Sequence, residues 1–545
     1  MALTQILIYT GLLSVLCLAT TTTDNIVDLD YAKYRGNISR SNTVAYLGIP
    51  YAEPPVSERR WRAPLPLNTA RVTAQAKGQV VDATSYPNFC IQGTTGNGDA
   101  GGAGTEDCLK VNVYAPLAAS PGDKLPVLVY IHGGGYVYGN PANWPFDDWI
   151  QQVPEVVVVS VYYRLDAFGF LAHPAFGMQP ELGDLNVGLL DQIEALRWVQ
   201  NHITAFGGDP SQVTINGQSA GGSSVELHLV APRTAGLFNK AIAQSVFRGP
   251  LPSPEEQKPL FDFFAERAGC PSASLAAQMA CLRNASLSAL APAQDATLLA
   301  ASFNIKNSSG SYRSFNPVFD GKLITIRPTA SVLAGKMHDV ALIVGATSNE
   351  TLSSGTNITA PLKSLFPALT STDLEQFVQQ YPLSDFDSVS QQVRVATGES
   401  GLRCAAEILG DTFSKRAKTF VYRYNTPNPT LGSPIVEHAA ENWMMFQGTN
   451  TGFNGSTTFS SMTPSEKAFA AELIAYWLSF VRSGDPNTFK LAPAPRWPLY
   501  NDATTERIVL TEGTVRTSGS SVEAIPSKEK ERCAFVASKA KGQQN

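Results

Sequence analysis

The 545-residue sequence has no apolar run long enough to cross a bilayer, no block of lysines and arginines, and no cysteine or histidine cluster at metal-ligand spacing. Each absence removes a class of function. A membrane span needs about 20 apolar residues, so no stable membrane insertion is expected. Basic residues are dispersed and the net charge is -5, which lacks the electrostatic footprint of a nucleic-acid binder. Without clustered thiols and imidazoles, zinc is not expected either. Charge itself is scarce: 16% of residues are charged, below the quarter or so typical of soluble domains. Ser, Thr, Asn and Gly take its place, as expected of a glycosylated exported chain. Internal repeats, low-complexity linkers and charge runs are also missing, so residues 20–545 are expected to form one elaborated domain.

The N-terminal stretch "ILIYTGLLSVLCLA" is too short for a span and is followed by polar "TTTTDN". It reads as a signal peptide covering residues 1–19, although no Lys or Arg precedes the apolar run. Cleavage would remove Cys17 and leave six cysteines, an even number suited to an oxidising compartment. Six cysteines allow 15 pairings. The short spacings suggest Cys90 with Cys108 and Cys270 with Cys281, which leaves Cys404 for Cys533. Sequons at Asn37, Asn284, Asn307, Asn357 and Asn454 are expected to carry glycans on the surface.

Between Cys90 and Cys108 lies "GNGDAG", in which Gly96, Gly98 and Gly101 match the G-x-G-x-x-G of dinucleotide-binding loops. That fingerprint works only where a strand enters the turn and a helix leaves it, with the helix N-terminus facing a pyrophosphate. Here cysteines flank the loop, and the "LKVNVYAP" that follows alternates like a strand. The nucleotide reading is rejected on context.

The rest of the pattern is α/β. "LPVLVYIHGGG" and "EVVVVSVYYR" are continuous apolar runs of the kind buried on both faces of a parallel sheet. "GLLDQIEALRWVQNHI" places Leu189, Ile193, Leu196, Val199 and Ile203 at helical spacing. "VTINGQSAGGSS" reads as a short strand, a glycine turn and a helix. Further on, "DVALIVGATSNE" and "TFVYRYN" read as buried strands. "KAFAAELIAYWLSFVRSGDPN" reads as a helix with Phe469, Leu473, Trp477 and Phe480 on one face. Residues from about 250 to 336 read as helical and loop-like. Alternating strands and helices imply a large, mainly parallel central sheet flanked by helices.

Chemistry concentrates at Gly217-Gln218-Ser219-Ala220-Gly221, a G-x-S-x-G between a predicted strand and a predicted helix. A serine there sits on a strained strand-to-helix turn, the nucleophile elbow, where small neighbours let the backbones touch. Upstream, His132-Gly133-Gly134-Gly135-Tyr136 ends another strand. Consecutive glycines can aim backbone N–H groups at a developing oxyanion, with about 3 kcal/mol of transition-state stabilisation from one such donor. This order of motifs is that of the α/β-hydrolase fold, in which the acid and then the histidine follow the serine.

That order leaves His228, His338 and His438 as candidate bases. His228 lies on the helix after the serine. His338 stands at the start of a strand, away from the carboxyl ends where open α/β sheets bind ligands. His438, on the loop "LGSPIVEHAAEN", is therefore expected to be the base. Glu350, at the carboxyl end of "VALIVGATSNE", is expected to be the acid that orients it. Asp320 and Asp411 are rivals, one reading as a turn residue and the other as part of a helix. A buried acid at 350 also argues against a glycan on the sequon at Asn349.

With these residues in view, the chain resembles the type-B carboxylesterase/lipase family, the α/β-hydrolases that include cholinesterases and several fungal lipases. The likeness spans "YLGIPYAEPPVSERRWRAP", "TEDCLKVNVYAP", the HGGG and G-x-S-x-G segments, "NPVFDGKL", "HAAENWMMF" and "RCAFV". The resemblance implies a triad of Ser219, Glu350 and His438, and an oxyanion hole from the N–H groups of Gly134, Gly135 and Ala220. It also implies the disulfides Cys90–Cys108, Cys270–Cys281 and Cys404–Cys533. Gln218 departs from the family's usual Glu. In relatives, the disulfide loop carries a cation-binding tryptophan in cholinesterases or an apolar lid in lipases, and this sequence has neither between Cys90 and Cys108. The implied function is a secreted serine carboxylesterase acting on a small-molecule ester without cofactor or metal. A triacylglycerol lipase and a non-catalytic cholinesterase-like binding protein are the alternatives. Tyr136, Trp144 and Phe247 are candidate pocket aromatics, with core packing the competing role of each. The polar disulfide loop is expected to be an open, mobile flap.

Overall fold

In a computed structural model of the chain, residues 25–94, 101–271, 274–299, 310–350, 353–452, 455–501 and 503–545 are described. The signal-peptide segment, the loop tip with Gly96 and Gly98, and the sequons at Asn307 and Asn454 lie outside them.

Among these residues, the strands run in chain order as β1 Ile26–Asp28, β2 Lys33–Arg40, β3 Thr43–Pro50, β4 Val80–Ala83, β5 Lys110–Pro116 and β6 Leu125–Ile131. They continue as β7 Val157–Val161, β8 Gly208–Gln218, β9 Lys240–Gln244, β10 Ala341–Thr347, β11 Thr419–Tyr424, β12 Thr449–Thr451, β13 Thr457–Phe459, β14 Glu506–Leu510 and β15 Ser521–Ala524. Thirteen of them form one sheet in the spatial order β1-β2-β3-β5-β7-β6-β8-β9-β10-β11-β14-β15, with β4 beside β2, while β12 and β13 form a separate hairpin. The block from β7 through β14 is parallel throughout. The remaining pairings on its flanks are antiparallel, apart from β2 with β4.

The continuous apolar runs are explained by two cores, one on each face of this sheet. In β6, Val127, Val129 and Ile131 join one core while Leu128 and Tyr130 join the other. Successive strand side chains point to opposite faces, so a strand covered on both sides has no polar face to show. Helix Val187–His202 buries its predicted stripe on the first face. Helix Pro464–Ser483 buries Phe469, Leu473, Trp477 and Phe480 on the second. Its ends follow local rules: Thr463 and Glu466 form a reciprocal capping box, and Gly484 closes the last turn at φ 71°. Such a box satisfies two N–H groups that the first turn leaves without partners.

All three expected disulfides are formed, with Cα separations of 5.1, 5.6 and 5.0 Å for Cys90–Cys108, Cys270–Cys281 and Cys404–Cys533. The last joins residues 129 apart in sequence, tying helix Ser527–Ser538 to helix Cys404–Phe413. The sequon asparagines Asn37, Asn284 and Asn357 are exposed. No helix among the described residues is long and apolar enough to cross a membrane.

One buried ion pair braces the sheet behind the site. Arg164, just past β7, donates Nε and Nη2 to the Asp191 carboxylate at 2.8 and 2.7 Å, and its backbone N–H donates at 3.1 Å. Both side chains are at most 4% exposed. Asp191→Ala should cost about 3–5 kcal/mol, because it strands a buried guanidinium. The double change Arg164→Met, Asp191→Leu should recover most of that. Urea unfolding of the two variants checks this, and equal midpoints would refute it.

Candidate active site

Five parallel strands that are neighbours in space deliver the candidate residues to one edge of the sheet. β6 ends into His132 and the glycines, β8 into Ser219, β9 into Ser245, β10 into Glu350, and β11 leads to the loop holding His438. The register is tight: Ile131 pairs with Gly217, Gln218 with Gln244, and Gly345 with both Gln244 and Tyr422. Ligands of open α/β sheets bind at such carboxyl ends.

Ser219 sits at φ 60° and ψ -123°, between β8 and helix Ala220–Val230. That conformation is rare for a residue with a Cβ, and the close approach of strand and helix holds it. A Cβ on Gly221 would lie 2.0 Å from the Ile131 carbonyl oxygen, so only glycine fits there. The strand is longer than the sequence suggests, eleven residues, because Gly208 already pairs with Leu125 before a register shift that precedes the continuous pairing from Val213 onward.

His438 Nε2 lies 2.7 Å from Ser219 Oγ, and Nδ1 lies 2.5 Å from Glu350 Oε2. A carboxylate only accepts hydrogen bonds, so Nδ1 carries the proton and Nε2 is left to accept from the serine hydroxyl. The Glu350 side chain is fully buried, whereas that of His438 is 31% exposed. Burial raises the Glu350 carboxyl, but the imidazole charge and hydrogen bonds from His438, Ser245 and the Thr347 N–H outweigh it and hold it below the ordinary range. Burial works against charge on His438, yet the Glu350 carboxylate beside it leaves its pKa above the usual imidazole value. The pair is thus arranged to stabilise an imidazolium.

The two rivals for the acid are elsewhere. Asp320 closes a turn, accepting the N–H groups of Lys322, Leu323 and Ile324. Asp411 accepts from the Tyr500 hydroxyl on helix Cys404–Phe413. His228 is buried against Gln192, and His338 meets Thr234 and Ala231. His132 is neutral at physiological pH: burial lowers it to about 4, and it stacks on Trp144 and Tyr163.

The glycine loop curls because the Gly134 carbonyl accepts from Val137 and Tyr138 N–H groups. Gly134 has φ 109°, and a Cβ there would lie 2.0 Å from the Tyr138 oxygen. Among the described residues nothing accepts the N–H groups of Gly134 and Gly135. Ala220 opens its helix, where first-turn N–H groups lack internal partners and the dipole favours negative charge.

Two supports were not visible in the sequence. Ser245 donates to Glu350 Oε1 at 2.7 Å from a backbone at φ 47°. A polar residue ending a buried strand next to β8 was its only signal. Gln92, 1% exposed, accepts the Gly139 N–H at 2.6 Å and donates to the Cys90 and Gly139 carbonyls. It thereby ties the disulfide loop to the far end of the glycine loop. The expectation of a free flap is corrected at its base: Gly102 N–H donates to the Gln92 carbonyl, while the Gly101 and Thr94 N–H groups donate to Asp295. A polar loop needs backbone partners as much as apolar contacts, and composition does not reveal them.

Gln218 is 2% exposed and accepts from Asn442 Nδ2 at 3.2 Å, a neutral contact in place of the family's usual acid. Of the three candidate aromatics, Trp144 and Tyr136 pack in the core, and Tyr136 also lines a cavity together with Phe247.

Comparison with known proteins agrees with this geometry. A model of the carboxylesterase family matches residues 23–535. Para-nitrobenzyl esterase of Bacillus subtilis (strain 168) is 30% identical over 498 residues, covering 90% of this chain and 95% of that one. Acetylcholinesterase of Electrophorus electricus is 28% identical over 557 residues, covering 88% and 82%. The crystal structure of Aspergillus niger EstA superimposes with a TM-score of 0.80 at 29% identity, covering 96% of this chain and 99% of that one. A parallel sheet that gathers a serine, a histidine and a glutamate at one edge, in a chain matched along nearly its whole length, has one reading: the chain belongs to the carboxylesterase family and is a carboxylic ester hydrolase.

Proposed function

We propose that the protein is an exported serine carboxylesterase, a single catalytic domain from residue 20 onward, that works through an acyl-enzyme on Ser219. The supporting observation is the continuous chain Ser219, His438, Glu350 at 2.7 and 2.5 Å. Ser219 Oγ attacks the ester carbonyl while His438 Nε2 takes its proton. The oxyanion that forms is received by the N–H groups of Gly134, Gly135 and Ala220, which bind its developed charge more strongly than the neutral ester carbonyl. The tetrahedral species collapses, His438 returns the proton to the departing alkoxide oxygen, and the alcohol leaves. Water then attacks the acyl-enzyme with His438 again as base, releasing the carboxylic acid and the free serine. Export is supported by three disulfides, which persist in oxidising compartments.

Rapid mixing with p-nitrophenyl acetate tests this reading. A burst of one p-nitrophenol per active site, followed by slower turnover, is expected if the acyl-enzyme accumulates, together with an acetyl mass increment on the peptide holding Ser219. An increment on another residue would overturn the assignment. A sharp rise in rate above the solubility limit of long-chain esters would move the protein to the lipases.

A further inference from the structure

The glycine loop leaves β6 at His132 and closes at Gly139, where the chain returns against its own start: a Cβ on Gly139 would lie 2.1 Å from His132 Nδ1. The first end is held by the core. The His132 ring stacks on Trp144 and Tyr163, and its carbonyl accepts the Tyr163 hydroxyl at 2.8 Å. At the other end both polar groups of the Gly139 backbone are bonded to Gln92, the N–H to Oε1 at 2.6 Å and the carbonyl to Nε2 at 3.1 Å. Gly134 and Gly135 stand between these two ends.

Gln92 is as firmly held as the residue it holds. Its N–H donates to the Ala103 carbonyl at 2.9 Å, and its own carbonyl accepts from the Gly102 N–H at 2.8 Å and from Gln294 Nε2 at 2.9 Å. Nε2 also donates to the Cys90 carbonyl at 2.7 Å, at the disulfide that closes the loop with Cys108. The next residue adds a strap, since the Gly93 N–H donates to the Val137 carbonyl at 2.8 Å. Gln92 and Gly139 are both buried. Without the amide, the Gly139 N–H and carbonyl would be left without partners away from water, and the loop would have to shift to find others.

We propose that Gln92 is a positioning residue for the oxyanion hole: by fixing Gly139 it sets the aim of the Gly134 and Gly135 N–H groups. The disulfide loop thereby serves catalysis without touching the substrate. This rests on the acyl-transfer reading above. Oxyanion donors are effective because they are in place before the charge appears and need no reorganisation when it does. A loop released at one end loses that advantage, and a misplacement of about 1 Å can cost about 100-fold in rate.

The test is Gln92→Met, which keeps the volume and removes all three side-chain bonds. With p-nitrophenyl acetate, kcat/KM per titrated active site should fall about 10- to 100-fold. The acid limb of the pH profile should stay where it is in the native enzyme, because His438 and Glu350 are untouched. Inhibition by an aryl trifluoromethyl ketone should weaken by the same factor as kcat/KM. Ser219 Oγ adds to that carbonyl, its proton passes to His438, and the oxygen left negative occupies the hole. Gln92→Glu keeps an acceptor for the Gly139 N–H but turns a carboxylate toward two carbonyls, so it should fall between Gln92→Met and the native enzyme. If Gln92→Met does not fold, the same three readouts in Gln92→Glu decide. A change in kcat/KM below about threefold, a shifted acid limb, or undiminished ketone inhibition would overturn the proposal. A merely structural role would lower the number of titrated sites and leave each one fully active, which would also overturn it. Normal native turnover with an unaffected variant sinks this inference only, whereas a native enzyme that neither turns over nor titrates sinks the esterase reading with it.

Discussion

Ser219→Ala is expected to lower kcat for p-nitrophenyl acetate by roughly 10⁴- to 10⁶-fold, with KM and the melting temperature little changed. The loss should be that large because no neighbouring hydroxyl can substitute. Ser223 Oγ is committed to the Phe247 carbonyl at 2.6 Å, and Ser224 Oγ donates to the Ala220 carbonyl at 3.0 Å. Neither approaches His438, whose Nε2 bonds Ser219. Alanine keeps the strained φ of 60° at no added cost, so stability should hold. The oxyanion donors remain in the variant and should leave a residual rate above that of water. A fall in kcat of less than about 100-fold, with active-site titration excluding contaminating enzyme, would mean that acyl transfer does not pass through Ser219.

Glu350→Gln should come second, lowering kcat by about 10³- to 10⁴-fold and moving the pH profile. The amide carries no charge to stabilise an imidazolium. With its NH₂ turned to His438 Nδ1 it would also favour the tautomer whose Nε2 bears the proton, so that Nε2 could no longer accept from Ser219 Oγ. The direction of the pH shift follows from the environment of the histidine. In the proposed mechanism neutral His438 is the base, so kcat/KM should fall as pH drops through its pKa. In the native site burial lowers that pKa, but Glu350 outweighs burial and raises it. Removing the carboxylate leaves burial unopposed by it, and the acid limb should move to lower pH in the variant. An acid limb at the same pH in both proteins would show that Glu350 does not face the titrating base. The melting temperature should not fall greatly, since the substitution also relieves the cost of burying a charge.

Much of this site is legible in the sequence because its parts are local. A glycine run that ends an apolar strand makes an anion-receptive loop, and G-x-S-x-G between a strand and a helix makes an elbow, whatever lies around them. The base and acid were reached by order and by elimination, which left Asp320 and Asp411 as competitors to Glu350. What removes them is that Asp320 caps its own turn and Asp411 bonds Tyr500. Other parts carry no local signal at all. Ser245 supports Glu350 across a gap of 105 residues, and Gln92 braces the glycine loop from 47 residues upstream. Glu226 reads in sequence as one polar residue on a helix, and only packing turns it into a buried, unengaged carboxyl. Trp144 and Phe247 are similarly indistinguishable as aromatics, yet one fills the core and the other a cavity wall.

The sequence by itself determined the strands and helices that flank the two motifs, and hence that a serine would stand on a strained elbow downstream of a glycine loop that ends a strand. Backbone conformation over a few residues depends on side-chain size, branching and glycine content in those same residues. Only the tertiary structure decided that the GNGDAG loop is tied at its base rather than free, and which carboxylate meets the imidazole. Ser219 and His438 are 219 residues apart, and His438 and Glu350 are 88 apart. They meet because the parallel register brings consecutive strands to end at one edge, a condition set by pairing across the whole sheet.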